Sequence, residues 1–500
     1  MMKQTRALAF TGALAALVTA TACKTDLNVP NLNSPNVSQV IVTGADVQTV
    51  VGNTFFTMIN GVYTNDNLGL AVVADEGTSS YGNFGMRFNG QEPRIPFNNL
   101  ASASNDVIVS KTQWNAYYSA LGSANDGLKA IAKGIVIVNA ANTAQYKTFA
   151  QFMQGWIFAQ LAMNFDQAFV SDESTVDPTT LVLVPYNTVA TAALAKLDAA
   201  IAGFAGQTYV YPSQYVEDMP ASASQMAQLT NSIAARLMVE VSRTGAANTA
   251  ANWAKILTYA NAGVTADRMI STTPANPLFS GWEYYGTNYD WMRVDMRIIQ
   301  AMDSTQPFEF TTQAGPPRAT SADKRMGVVP ATSYSNVLTE TADFRYNTTS
   351  LFAVARGIYF FSFWNFNRYK YYTDESANPG LGPTPVFLKA ENDLIRAEAL
   401  VRTGGDFNLA ATLINNTRVT RGGLPALTGA LTAAQLLSYI QYERLVELYH
   451  THPNVGWGDA RRFETMQVGS FRSLPVPAGE LGTLNLPIYT FGGVGQPDGH

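Results

Sequence analysis

Nucleophilic or metal chemistry in this chain has few residues to draw on. Histidine occurs three times, at His450, His452 and the terminal His500, and the single cysteine is Cys23. A Ser-His-Asp arrangement would have to use one of those histidines, and no Gly-x-Ser-x-Gly turn surrounds any serine. His450 and His452 could chelate a metal with Asp459 or Glu447, but two neighbouring histidines more often mark a surface turn. The 37 acidic residues supply many chance carboxylate pairs for glycoside hydrolysis, and position singles none out. Walker, dinucleotide-binding and calcium-loop patterns are absent. The expectation is a protein that is not an enzyme and needs no cofactor.

Aromatic and neutral-polar residues offer a different chemistry. Charged residues are only 14% of the chain, against about 25% in a typical soluble domain. Aromatics make up 11%, with 7 Trp and 23 Tyr. One cluster, Gly281 to Trp291, interleaves Trp282, Tyr284, Tyr285, Tyr289 and Trp291 with Gly286, Asn288 and Asp290. Flat rings pack against the apolar face of a sugar while amides and carboxylates take its hydroxyls, so Trp282, Tyr284, Tyr285, Asn288, Tyr289 and Trp291 are candidate ligand contacts. The glycines and Asn suit an exposed loop. A second cluster runs from Tyr359 to Tyr372, and its alternation from Trp364 to Asn367 suits a half-buried strand as well as a ligand face. A net charge of −5 argues against nucleic acid, whose phosphates need clustered Lys and Arg.

The N-terminus reads as a targeting segment. Lys3 and Arg6 precede an apolar run, Ala7 to Val18, that is too short to span a bilayer, and small residues lead into Ala20-Thr21-Ala22-Cys23. This is the pattern of a bacterial lipoprotein signal, with 1–22 removed and Cys23 acylated. A body without other cysteines has no disulfide, thiol nucleophile or thiolate metal site. Residues 23–45, rich in Asn, Pro and Ser, read as a tether.

Beyond the tether the apolar residues recur at three- and four-residue steps. Trp114, Tyr117, Tyr118, Leu121, Leu128 and Ile131 mark one helix. Others span Phe149 to Phe165, Val189 to Phe204, Ala221 to Arg243 and Trp253 to Val264. The pattern fades over 271–380 and returns at Pro385 to Thr403, Asn408 to Arg421 and Thr432 to Tyr449, with glycine pairs closing the first two. The expected fold is mainly α with little β. It is a tetratricopeptide-like scaffold of helical pairs with a loop-rich, aromatic-rich insertion. A single domain would span 46–500: helical pairs over 46–270, the insertion over 271–380 and closing helices over 381–480.

The C-terminal series resembles the SusD/RagB family of nutrient-binding lipoproteins. It comprises Leu388-Lys389-Ala390-Glu391, Leu394 to Ala399, Gly404-Gly405-Asp406, Ile414 to Arg418 and Arg421 to Pro425. Glu443 to Leu448, Trp457 to Arg462, and Leu474 to Pro477 with Glu480 complete it. Trp114, Tyr118, Leu121 and Asn125, then Leu197 to Ile201 and Ala234 to Leu237, extend the likeness upstream. Gln154-Gly155, the Arg418 to Arg421 spacing and the His450 to Val455 insertion depart from the family pattern and leave the ligand class open.

The resemblance implies an outer-membrane lipoprotein facing the exterior, with glycan or peptide as ligand and a TonB-dependent (SusC-like) transporter as partner. By position in that family, Asp75, Tyr81, Asn83 and Arg87 become ligand-binding candidates, although their segment also reads as a glycine-rich surface loop. A lipid-anchored glycoside hydrolase and an envelope scaffold are the other function classes. The charges of Glu391, Arg396 and Glu398, and of Glu443, Arg444 and Glu447, are expected to hold helices together rather than to do chemistry.

Overall fold

The computed structural model describes residues 41–100, 102, 106–271, 278, 280–288, 290–307, 319–327, 342–347, 356, 361–369, 371 and 381–500. Cys23, Tyr289, Tyr359 and Tyr372, with the 24–40 part of the tether, lie outside these. Residues 43–500 form one unit, and its described residues are mainly helical.

The chain enters through short helices α1 (Gly44–Gly52), α2 (Thr54–Val62), α3 (Leu68–Val73) and α4 (Met86–Gly90). Long helices follow: α5 (Ile108–Ala132), α6 (Ala140–Asn164), α7 (Tyr186–Phe204) and α8 (Ala223–Glu240), then α9 (Gly245–Ala250) and α10 (Trp253–Asn261). The region read as loop contains α11 (Gly281–Thr287) and α12 (Met296–Met302). The C-terminal part carries α13 (Lys389–Arg402), α14 (Phe407–Arg418), α15 (Ala433–Glu447), α16 (Pro453–Arg462) and α17 (Ala478–Thr483). Consecutive long helices pack on one another, α5 on α6, α6 on α7, α7 on α8, and α13 on α14 and α15, which is the tandem pairing that the periodicity predicts.

Local chemistry sets the helix ends. Ser222 with Gln225 and Thr432 with Gln435 form reciprocal capping boxes that start α8 and α15. Past α13, Gly404 adopts φ 65°, and the amide of Gly405 donates to the Leu400 carbonyl at 2.8 Å, satisfying a carbonyl the helix leaves free. Helix α6 is buried almost all round from Phe152 onward, and Phe149, Phe152, Trp156, Phe158 and Leu161 are all buried, which makes it the central helix of the first half.

Strands are short, and β1 with β5 and β4 with β8 pair over long distances in the chain. β1 (Gly77–Thr78) runs antiparallel to β5 (Arg293–Val294), β2 (Gln167–Phe169) to β3 (Leu183–Pro185), β4 (Arg268–Ser271) to β8 (Pro383–Phe387), and β6 (Phe344–Tyr346) to β7 (Trp364–Phe366). Pro385, read from sequence as a helix start, therefore lies in β8. Trp364 to Phe366 are strand, but all three are buried, so the alternation does not divide a wet face from a dry one.

The charged motif residues lie in the helix interfaces. Glu391 accepts two bonds from Arg236 at 2.6 Å, Glu398 pairs with Arg462 at 2.9 Å, and Arg444 bridges Glu240 at 2.7 Å and Asp459 at 2.8 Å. Arg325 joins Asp323, Glu443 and Glu447 within 3.1 Å. Each of these carboxylates thus meets a planar guanidinium, which offsets the cost of removing both charges from water.

Candidate functional site

The turn after α3 carries the first part of the site. Asp75 takes φ 61°, and the amide of Glu76 donates back to the Ala71 carbonyl, so the chain reverses directly into β1. Pairing of Gly77 with Val294 and Thr78 with Arg293 then brings residues 79–88 beside Tyr284, Tyr285 and Trp291. Gly77 is needed there, because a Cβ would lie 2.4 Å from the Met292 sulfur. The Ser79 hydroxyl donates to the Trp291 carbonyl at 2.8 Å, and the Arg87 amide donates to the Tyr81 carbonyl at 2.9 Å.

Five rings meet at this junction. Tyr81 lies 5.5 Å from Trp291, Phe84 5.2 Å from Tyr285 and 6.1 Å from Trp291, and Tyr285 5.0 Å from both Tyr284 and Trp291. Their mutual angles run from tilted to edge-on, and all five are half-buried. The cluster is therefore a platform with ring surface left to solvent, flanked by exposed Asn83 and half-buried Arg87. Arg87 also donates to the Arg356 carbonyl at 3.2 Å, and Arg356 to the Ser80 carbonyl at 3.0 Å, tying the insertion to this edge.

The structure divides the sequence candidates. Tyr81, Asn83, Arg87, Tyr284, Tyr285 and Trp291 come together. Asn288 sits close by, but its side-chain oxygen accepts the Asp290 amide at 3.0 Å and shapes the turn. Trp282 and Asp75 are corrections. Residues 281–287 form helix α11, not an exposed loop, and Trp282 points inward at 0% exposure. Its ring stacks on His450 at 4.1 Å, and its indole N–H donates to the His450 carbonyl. Asp75 is buried between Arg94 and Arg297, the latter at 2.8 Å. Neither side chain is left to face a ligand. Phe84 joins the platform although it was not among the sequence candidates; its place next to Asn83 in a glycine-rich run was the available signal.

The His450 and His452 turn is also corrected. Both rings are buried, not on a surface turn. The His450 Nε2–H donates to the Trp282 carbonyl at 2.9 Å, and Gly286 leaves the ring its space, since a Cβ there would fall 1.8 Å from Nε2. His452 Nδ1 accepts the Asn454 amide and caps α16. Burial pushes the His450 pKa down to about 4 and His452 well below its usual value. The suggested partner carboxylates, Asp459 and Glu447, are engaged by arginines. No cluster of three or more metal-ligating side chains is found among the described residues.

The arrangement of helices was compared with known structures. A SusD superfamily protein from Parabacteroides distasonis matches at TM-score 0.61 and 12% identity, covering 89% of this chain and 98% of that one. The fold is that of the SusD superfamily. A SusD-like carbohydrate-binding protein from Bacteroides vulgatus matches at TM-score 0.58 and 14% identity over 84% of this chain and 83% of its own. Surface glycan-binding protein A from Bacteroides uniformis matches at TM-score 0.51 and 16% identity, over 81% and 86%. No protein-family model matches the sequence, and no curated protein is similar to it. Among the described residues no helix is long and apolar enough to cross a membrane.

Proposed function

We propose that this protein is a surface lipoprotein of the outer membrane that captures oligosaccharide and delivers it to a TonB-dependent transporter. The observation that carries the reading is the convergence of Tyr81, Phe84, Tyr284, Tyr285 and Trp291 from two segments some 200 residues apart into one solvent-facing platform. Half-buried rings bordered by an amide and a guanidinium suit a sugar, with apolar face on the rings and hydroxyls on the polar rim. Two neighbours by fold are described as carbohydrate- or glycan-binding, which supports the same ligand class. Binding without catalysis fits the carboxylates, since Glu391, Glu398 and Glu443 of the C-terminal helices are engaged by arginines.

The test is titration of the mature protein against an oligosaccharide panel and a peptide pool. Oligosaccharide binding is expected, and the Tyr285→Ala, Trp291→Ala double variant should lose about tenfold or more in affinity, on the order of 1 to 3 kcal/mol for two stacking rings. Binding of peptides alone, or unchanged affinity in the double variant, would overturn the reading. Co-purification of a large β-barrel with the anchored protein tests the delivery step.

A further inference from the structure

A cavity of about 240 Å³ opens beside α12, α15 and α16. Exposed Ser438 on α15 lies at its rim, Tyr442 and Phe463 line its walls, and Glu76, Arg444 and Asp459 form its polar floor. Two of the floor groups are already matched. Arg444 pairs with Asp459 through Nε and with Glu240 through Nη2, its Nη1 having no hydrogen-bond partner, and Asp459 also receives Arg462 at 2.8 Å.

Glu76 is different. Its side chain is only 5% exposed, yet its Oε2 has no hydrogen-bond partner. Its carboxyl accepts the backbone N–H of His450, and the charge that chiefly faces it is the like charge of Asp459. Nearby Tyr449 is a neutral phenol, and Asp295 engages only the Glu76 carbonyl, through its own amide at 2.8 Å. Among the described residues no cation pairs with Glu76. The carboxyl is nonetheless accommodated deliberately: a Cβ on Gly456 would lie 2.1 Å from its carboxyl carbon. A buried, unpaired carboxyl in a roomy pocket is costly unless something meets it.

We propose that this cavity binds a small organic ammonium, about one six-membered ring in size, with its N⁺–H donated to Glu76 Oε2 and its carbon body between Tyr442 and Phe463. The ammonium supplies the missing counter-charge, Asp459 adds a favourable field, and the rings receive the ligand body. Burial holds the empty-site Glu76 pKa at about 8, so at neutral pH the incoming cation displaces a proton. The site is separate from the aromatic platform and takes a different ligand chemistry.

Calorimetric titration of the mature protein with cyclohexylammonium and with cyclohexanol, its neutral counterpart in shape, tests this. The ammonium should bind about tenfold or more tightly than the alcohol. Its affinity should rise about tenfold or more between about pH 6 and about pH 8, with proton release visible as a dependence of the heat on buffer. Glu76→Gln should abolish the preference for the ammonium. Equal binding of the two ligands, no binding of the ammonium, or an affinity flat with pH overturns the proposal. The comparison of the two ligands on the unaltered chain stands even if Glu76→Gln does not fold.

Discussion

Glu76, Glu283, His450 and His452 sit in one part of the core with their rings and carboxyls out of water, and their titrations pull stability in opposite directions. Burial raises both Glu76 and Glu283 to about 8, and lowers His450 to about 4. A glutamic acid that keeps its proton in the fold but loses it when unfolded makes the fold less stable as pH rises from about 4.5 toward 8. A histidine that stays neutral in the fold but charges when unfolded does the reverse, and its stabilisation is lost as pH falls from about 6.5 toward 4. Between about 4.5 and 6.5 the two pairs oppose each other, and above that the glutamates act alone. The expected result is a melting temperature highest between about pH 5 and 6.5, with a few kcal/mol lost by about pH 8. Scanning fluorimetry across pH checks it. Glu283→Gln should remove roughly half of the alkaline decline, and an undiminished decline in that variant would count against the assignment.

At the scale of elements, the guanidinium bridges decide how the C-terminal helices hold together, and their burial ranks them. Arg444 is fully buried between Glu240 and Asp459, whereas Arg421 pairs with Asp343 and Glu447 with its side chain 41% exposed. Replacing Arg444 by Met strands Glu240 in the interior and leaves Asp459 to Arg462 alone, and should cost about 3 to 5 kcal/mol. Arg421→Met should cost about 1 kcal/mol or less, because water and the remaining arginines keep Asp343 and Glu447 solvated or paired. Urea midpoints of the two variants give the comparison, and similar losses would contradict it. These elements also show what a sequence can disclose. Helices α5 to α8, α10 and α13 to α15 were legible because a packed helix repeats its apolar contacts every three or four residues within one segment. The charges of Glu391, Glu398 and Arg444 were legible as structural, since their spacing does not pair them along one helix. β1 and β5 were not, because two-residue strands have no period to read and their pairing joins residues more than 200 apart. That pairing assembles the Tyr81 to Trp291 platform, so the aromatics were visible and their meeting was not. The burial of His450 was hidden for the same reason: Trp282, which covers it, lies 168 residues away in the chain.

For the whole molecule, the proposed anchoring and the proposed capture are separable, since Cys23 falls in the segment before the folded unit of 43–500 while the platform lies within it. If the N-terminal signal is processed as its pattern implies, the mature chain holds to the membrane through acyl chains on Cys23, each buried CH₂ contributing about 0.8 kcal/mol. One chain binds marginally and several bind in effect permanently, so the attachment should respond to loss of that one sulfur as a step and not a gradient. Cys23→Ala is therefore expected to move the protein from the detergent phase to the aqueous phase in a phase-partition assay. The same variant should keep its affinity for oligosaccharide, because the platform is built by β1, β5 and α11 and involves no thiol. Aqueous protein with intact binding supports the division of labour. Retention of the Cys23→Ala chain in the detergent phase would show that the folded body itself carries the membrane contact, and exposed Val182, Leu486 and Ile488 would be the first residues to test for it.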